Sequence, residues 1–205
     1  GFTGLSAAWH LLSSGRSCAV LEAEDIGYGA SGRTAGFAVP RYKKGWVALD
    51  RKYGTAAARR LHAITLEGMD VIRAIVDAYG LHDFFLRCGH ITAAHGPASL
   101  AALEEDVRWL KSAAGDEVPR IVGRDEVAEA TGTRVYAGGY VEPRAGAFHP
   151  LSYVRGLADG LRRSGVPILI GTPVIRIHTE REGLILETPA NRVRCKQAII
   201  ATNAY

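Results

Sequence analysis

Apolar residues recur along the chain with two different spacings, and the changes between them mark the predicted elements. Helical spacing of apolar residues predicts helices at 5–14, 47–79, 99–113, 124–130 and 153–163. Short apolar runs predict strands at 18–21, 84–94, 134–141, 168–170, 174–178, 184–187, 192–195 and 198–201. The runs at 18–21 and 198–201 are apolar throughout, which is typical of strands buried on both faces of a parallel sheet.

Two glycines open the chain and lead directly into the first predicted helix. In a GxGxxG dinucleotide-binding fingerprint, Gly1 and Gly4 would be the second and third glycines, which allow close approach of a pyrophosphate and tight helix packing. The helix start then offers free N–H groups and the positive end of the helix dipole.

An acidic residue stands where such a fold binds a ribose. Glu22 ends the apolar run 18–21, eighteen residues after Gly4, a spacing that suits a carboxylate accepting hydrogen bonds from an adenosine ribose. A 2′-phosphate would be repelled there, so NADP is disfavoured. These three residues fit FAD and NAD equally well.

A loop of small residues follows, from Ala30 to Gly36. Small residues let the backbone lie against a large flat ligand, and Ser31 and Arg33 can donate hydrogen bonds to a pyrophosphate or a flavin edge. Composition alone is equally consistent with a flexible loop.

Composition and charge exclude several other classes of function. Hydrophobic residues make up 47% of the 205 residues, enough for a core, and the net charge of +4 is scattered, unlike the basic stripe of a nucleic-acid groove. The three cysteines and seven histidines lack metal-ligand spacing, which predicts no metal site, and the cysteines fit a reducing, cytoplasmic compartment. No apolar run reaches the length of a membrane span. No nucleophile with an adjacent base is evident, so the catalytic residues stay unknown.

Three runs together carry a family resemblance: Gly1–Ala8, Val20–Glu24 and Gly29–Arg33. They resemble the D-amino acid oxidase (DAO) family of FAD-dependent oxidoreductases, most nearly its bacterial gamma-glutamylputrescine oxidase branch. Further matching segments lie at 89–91, 145–150, 165–174 and 198–205, so the resemblance covers the whole chain.

The resemblance implies an α/β fold with an FAD-binding, Rossmann-like domain of the glutathione reductase type. That domain would consist of residues 1–45 and 143–205, with residues 46–142 inserted between them as an α+β, helix-rich substrate-side region. The family's first strand and its C-terminal half have no counterpart here. We therefore expect the chain to be a fragment that is inactive alone.

The resemblance also implies a set of cofactor contacts. The pyrophosphate would lie near Gly1, Gly4, Ala201 and Thr202. The adenosine ribose would lie at Glu22 and the adenine at Val174. The phosphate and ribityl part would run along Ala30, Ser31, Gly32 and Arg33, and the flavin ring would lie at Thr34, Ala35 and Gly36.

The implied reaction is FAD-dependent oxidation of the C–N bond of an amine or amino acid, with hydride transfer to the flavin and hydrolysis of the imine. Oxygen or another electron acceptor would be the second partner. Two alternatives remain at this point: an NAD-dependent dehydrogenase, and a non-catalytic flavin-fold binding module.

Overall fold

The computed structural model describes residues 1–203. Ala204 and Tyr205, the last two residues of the predicted second part of the FAD-binding domain, lie outside the described residues. The helices are α1 Phe2–Ser13, α2 Trp46–Tyr53, α3 Thr55–Tyr79, α4 Pro97–Trp109, α5 Arg124–Thr131 and α6 Pro150–Arg163. The strands are β1 Val20–Leu21, β2 Phe37–Ala38, β3 Phe85–Leu86, β4 His90–Ala94, β5 Arg120–Gly123, β6 Gly138–Glu142, β7 Gly146–Phe148, β8 Ile168–Leu169, β9 Arg176–Glu180, β10 Gly183–Glu187 and β11 Arg192–Cys195.

The chain forms two compact units, each built from separate stretches of sequence. The first unit contains Gly1–Gly36, Tyr79–Phe84 and residues 149–203. The second unit contains Phe37–Ala78 and Phe85–Phe148. Helices and short strands occur in both units, so the chain is an α/β protein with both parallel and antiparallel pairing.

In the first unit, β1 pairs in parallel with β8, and β9, β10 and β11 form an antiparallel meander. Helix α6 is strongly amphipathic and buries Tyr153, Val154, Leu157 and Leu161 at helical spacing. The Tyr153 ring lies 5.9 Å from the ring of Phe2 in α1.

The second unit contains two three-stranded antiparallel sheets, in the orders β2–β7–β3 and β4–β6–β5. A core cluster joins α2, α3, α4 and β6 through buried apolar side chains. The members of this cluster are Trp46, Leu49, Ala58, Val107, Trp109, Leu110 and Tyr140.

Most predicted elements differ from the structure only in their bounds, and three differ in kind. The helical pattern at 47–79 forms two helices, because Gly54 between α2 and α3 has a φ of 83°. The strand pattern at 84–94 is split into β3 and β4 around Gly89, whose φ is 69°. Positive φ ends a regular helix or strand, and glycine adopts it without steric cost.

The third difference is a wrong prediction. The run 198–201 forms no strand, and Ile199 and Ile200 are 61% and 73% exposed. A strand exists only where another strand supplies hydrogen-bond partners. None of the described strands pairs with this run, so an apolar pattern alone was insufficient.

Among residues 1–203, no helix combines the length and the apolar character that crossing a membrane requires.

Candidate functional site

The start of α1 has no side-chain cap and is hydrogen-bonded to the small-residue loop. Gly1 is the N-cap and provides no side-chain cap, and no acidic residue lies in the first turn. The Phe2 N–H donates a hydrogen bond to Ser31 Oγ at 3.0 Å. The next two N–H groups, of Thr3 and Gly4, have no acceptor within the helix, because the first four N–H groups of a helix never do. They remain a positively polarised surface suited to an anion.

The two glycines lie close to other parts of the first unit. A Cβ atom at Gly1 would lie 2.7 Å from Ser31 Oγ, so a side chain there would force the Ser31 hydroxyl to move. A Cβ atom at Gly4 would lie 3.4 Å from Ala201 Cβ. The structure therefore brings together Gly1, Gly4, Ser31 and Ala201, four predicted site residues from three separate stretches of sequence.

Glu22 lies beside the same turn. Its Oε2 atom is 3.6 Å from the Gly1 backbone nitrogen, and its Oε1 atom accepts a hydrogen bond from the Glu24 N–H at 3.3 Å. The backbone of Glu22 is fixed by a hydrogen bond to Leu169 O at 2.9 Å and by one from Thr172 N at 2.8 Å. The carboxylate is thus placed at the glycine turn by its position directly after β1.

The remaining loop residues are organised around a second glycine pair. A Cβ atom at Gly32 would overlap the Gly27 carbonyl, and one at Gly27 would lie 2.7 Å from a methyl group of Leu151 in α6. Gly27 has a φ of 81°, a conformation natural only to glycine. Helix α6 therefore packs against the loop through Leu151, a contact that the sequence pattern did not predict.

Other predicted residues make local contacts. The Arg33 guanidinium lies over the Tyr28 ring, 5.1 Å from its centroid. The Gly36 N–H donates to Thr34 Oγ1 at 3.2 Å, and Gly36 has a φ of 77°. The others are exposed at the surface of the first unit: Ala30, Ala35, Val174 and Thr202. Within residues 1–203, the hydrogen bonds and ring contacts of Arg33 and Thr34 are to the loop itself and not to the glycine turn.

The arrangement fits the phosphate and ribose parts of a dinucleotide. It combines uncovered helix N–H groups, glycines at positions where a side chain would hinder close approach, and a carboxylate at the turn. A dinucleotide carrying a pyrophosphate and an adenosine ribose needs these three features in one place.

The second unit contains a buried charge network that the sequence reasoning missed. His62 Nε2 lies 2.9 Å from Asp116 Oδ2, and Arg144 donates hydrogen bonds of 2.7 Å to both Asp116 and Glu142. Burial raises the pKa of Asp116, but the hydrogen bonds from Arg144 and the Val118 N–H and the Arg144 charge outweigh it, so the pKa lies below its ordinary value. His62 and Asp116 are 54 positions apart, and no local pattern links them.

His149 has a structural role within the first unit. It is the N-cap of α6, and its Nδ1 atom accepts a hydrogen bond from the Ser152 N–H at 3.2 Å. The Asn, Asp, Ser and Thr residues that usually occupy this position act in the same way.

Comparison with known proteins identifies the family. The sequence model of the DAO family, described as FAD dependent oxidoreductase, matches residues 1–205. Gamma-glutamylputrescine oxidoreductase of Escherichia coli (strain K12) is 32% identical over 207 residues, covering 100% of this chain and 47% of that protein. The probable oxidoreductase OrdL of Haemophilus influenzae is 30% identical over 206 residues, with coverages of 100% and 47%. The chain thus spans about half the length of these curated relatives.

Solved structures share the fold at low sequence identity. Glycine oxidase from Geobacillus kaustophilus superposes with a TM-score of 0.78 at 17% identity, covering 94% of this chain and 50% of that chain. L-Amino acid deaminase from Proteus myxofaciens, in complex with anthranilate, gives a TM-score of 0.76 at 18% identity, with coverages of 93% and 41%.

Proposed function

Because the chain belongs to the DAO family of FAD-dependent oxidoreductases, we propose that the whole protein oxidises the C–N bond of an amine or amino acid. FAD, when bound, would supply the redox chemistry, in which a hydride leaves the carbon that bears the nitrogen for the flavin. The nitrogen lone pair then forms the C=N bond, and water hydrolyses the imine to a carbonyl compound and an amine or ammonia. Oxygen or another acceptor reoxidises the cofactor.

The substrate class is supported by the names of the related proteins, which include a gamma-glutamylputrescine oxidoreductase, a glycine oxidase and an L-amino acid deaminase. The family uses FAD, so the alternative of an NAD-dependent dehydrogenase is not retained.

One observation in the chain itself carries the proposal: the glycine turn, the Ser31 hydroxyl and the Glu22 carboxylate lie together at the start of α1. We assign the N–H groups of this turn to the pyrophosphate and Glu22 to the adenosine ribose. The same proposal gives the other predicted residues their contacts. The phosphate and ribityl chain would lie along Ala30, Ser31, Gly32 and Arg33, and the flavin ring at Thr34, Ala35 and Gly36. The adenine would lie at Val174, and the pyrophosphate near Ala201 and Thr202.

The residues of the first unit would bind and orient the cofactor rather than form bonds with the substrate. Glycines bring the backbone close, the helix start offsets the phosphate charge, and the carboxylate fixes the ribose. The proposal needs no protein nucleophile.

The test uses the full-length protein. We expect it to purify with bound flavin and to lose the visible flavin absorbance when mixed without oxygen with some member of a panel of amines and amino acids. A carbonyl product should form in equal amount. A flavin-loaded protein that dithionite reduces, but no member of the panel reduces, would contradict the proposed substrate class.

A further inference from the structure

A small cleft in the second unit is lined by two cationic side chains. Arg41 and Lys44 lie on the segment between β2 and α2, Asp106 lies on α4 and Tyr140 lies on β6. All four residues belong to the second unit. The cleft is open to solvent and encloses about 10 Å³, which is room for about one oxygen-sized group. Only the head of a ligand therefore fits inside it.

The Arg41 guanidinium is held in place but has no carboxylate partner. It is half-buried, its Nη1 donates a hydrogen bond to Thr92 Oγ1 at 2.7 Å, and its Cζ lies 5.9 Å from the centroid of the Tyr140 ring. Within residues 1–203, no ion pair involves Arg41. A guanidinium has several N–H donors in a fixed plane, and the contact with Thr92 uses one of them. The rest are available to a ligand.

Asp106 offsets only part of the positive charge in the cleft. Its Oδ1 accepts a hydrogen bond of 3.0 Å from the Val47 N–H at the start of α2. Burial raises the pKa of Asp106 by more than the backbone hydrogen bonds and the Arg41 charge lower it. Lys44 adds a second cation at the exposed rim. The cleft therefore carries a net positive charge whether or not Asp106 is ionised.

The Tyr140 hydroxyl is a further donor in this cleft. The residue is 5% exposed, and within residues 1–203 its hydroxyl takes part in no hydrogen bond. Burial raises the pKa of Tyr140, so the hydroxyl keeps its proton at neutral pH. Buried polar groups are ordinarily hydrogen-bonded. A protonated hydroxyl without an acceptor in a positively charged cleft indicates an acceptor from outside these residues.

A carboxylate matches these groups. A guanidinium binds a carboxylate through two parallel N–H···O bonds, and the hydroxyl and the ammonium can donate to the same oxygens. A planar carboxylate is also narrower than a tetrahedral phosphate, which suits a cleft of this size.

We propose that the cleft of Arg41, Lys44 and Tyr140 binds the carboxylate of a small molecule, whose remaining part lies outside the cleft. This site belongs to the second unit alone and does not depend on the proposed oxidation.

The test uses the full-length, flavin-loaded protein with acetate as the probe. Saturation-transfer NMR detects the acetate methyl group while acetate exchanges with the protein, and a titration gives its Kd. Acetamide has the same shape without the charge, and chloride supplies the same charge without the planar pair of oxygens. Acetate should bind saturably, acetamide should not, and chloride at equal ionic strength should not displace acetate. Absence of saturable acetate binding, or full displacement by chloride, would overturn the proposal.

Variants connect the acetate signal to the cleft. Arg41→Met should raise the Kd of acetate about tenfold or more, as expected for losing hydrogen bonds between charged groups. Arg41→Lys keeps the charge but loses the planar fork, so it should also weaken binding. Tyr140→Phe keeps the ring and removes the donor, and it should have a smaller effect in the same direction. Arg59→Met, at an exposed arginine of α3 in the same unit, is the control and should change nothing.

Circular dichroism and flavin content show whether each variant is folded. If Arg41→Met does not fold, Arg41→Lys and Tyr140→Phe decide the question. A wild-type Kd for acetate in the folded variants of Arg41 and Tyr140 would overturn the proposal.

The same probe distinguishes two sources of the carboxylate. If an amino acid that reduces the flavin also displaces acetate, the carboxylate is that of the substrate. If it reduces the flavin and leaves acetate bound, the carboxylate belongs to another small molecule. Both results support the site. Acetate binding is measured without any reaction, so failure of the proposed function would leave this test unaffected.

Discussion

The backbone N–H of Phe2 donates a hydrogen bond of 3.0 Å to the hydroxyl oxygen of Ser31, although 29 positions separate the two residues. This hydrogen bond joins the first turn of α1 to the small-residue loop. It fixes both halves of the proposed phosphate site relative to each other.

Ser31→Ala should therefore weaken FAD binding. The substitution removes the hydrogen bond that holds the loop at the helix start, worth about 0.5–1.5 kcal/mol. Titration of apo-protein with FAD measures the effect. The control is Ser112→Ala, which removes an exposed hydroxyl that donates to Arg108 O at 2.8 Å in the other unit. Equal FAD affinities of the two variants would contradict a role for Ser31 in the site.

Glu22→Ala should weaken FAD binding more than Ser31→Ala. The lost hydrogen bonds would involve a charged acceptor and cost roughly 1.5–3 kcal/mol. Glu24→Ala is the matched control, because Glu24 is an exposed carboxylate two residues further on. The same FAD titration distinguishes them, and a wild-type dissociation constant for Glu22→Ala would remove this residue from the site.

The sequence predicted the parts of the site that depend on local pattern. Gly1 caps a helix and Gly4 lies in its first turn, and Glu22 directly follows a short apolar run, so both features can be recognised from the order of residues alone. The contact of Gly27 with Leu151 cannot be recognised in this way, because it depends on how α6 packs against the loop.

The wrong strand prediction at 198–201 and the missed charge network have the same physical origin. The run 198–201 has the composition of a buried strand, but strand pairing is a property of two segments, and only one of them is visible in a local pattern. The network of His62, Asp116 and Arg144 depends on side chains that are distant in sequence and adjacent in space.

Gly32→Ala should lower both stability and flavin content. A Cβ atom at Gly32 would overlap the Gly27 carbonyl, and since that neighbour is backbone, the loop itself must shift. Gly68→Ala is the control, because Gly68 lies inside α3 with no atom within 4 Å of an added Cβ atom. Replacing a helical glycine with alanine should raise stability by roughly 0.5–1 kcal/mol. Thermal melts and the flavin-to-protein absorbance ratio of both variants provide the measurement, and a fully flavin-loaded Gly32→Ala would contradict the close packing.

Arg144→Met should destabilise the second unit strongly. Arg144 donates to both Asp116 and Glu142, whose side chains are 8% and 1% exposed, so its removal leaves two buried carboxylates without their shared cation. Breaking a buried ion pair by removing one partner costs about 3–5 kcal/mol. Arg120→Met is the control: its bidentate pair with Glu126 is exposed, and the effect should be small. Urea unfolding followed by tryptophan fluorescence compares the two variants.

The same network predicts how stability depends on pH. The folded-state pKa of Asp116 lies below its ordinary value of 3.8, so its contribution is fully present above that value and is lost as the pH falls through the folded-state pKa. Arg144→Met removes a hydrogen bond and a charge that lower the pKa of Asp116, so this pKa should rise and Asp116 should contribute less to the loss of stability in acid. As the pH falls towards the folded-state pKa of Asp116, the wild type should lose more stability than Arg144→Met. The difference in free energy of unfolding between the two proteins should therefore narrow. A constant difference in urea midpoint from neutral pH down to about pH 3 would show that Arg144 does not control the ionisation of Asp116.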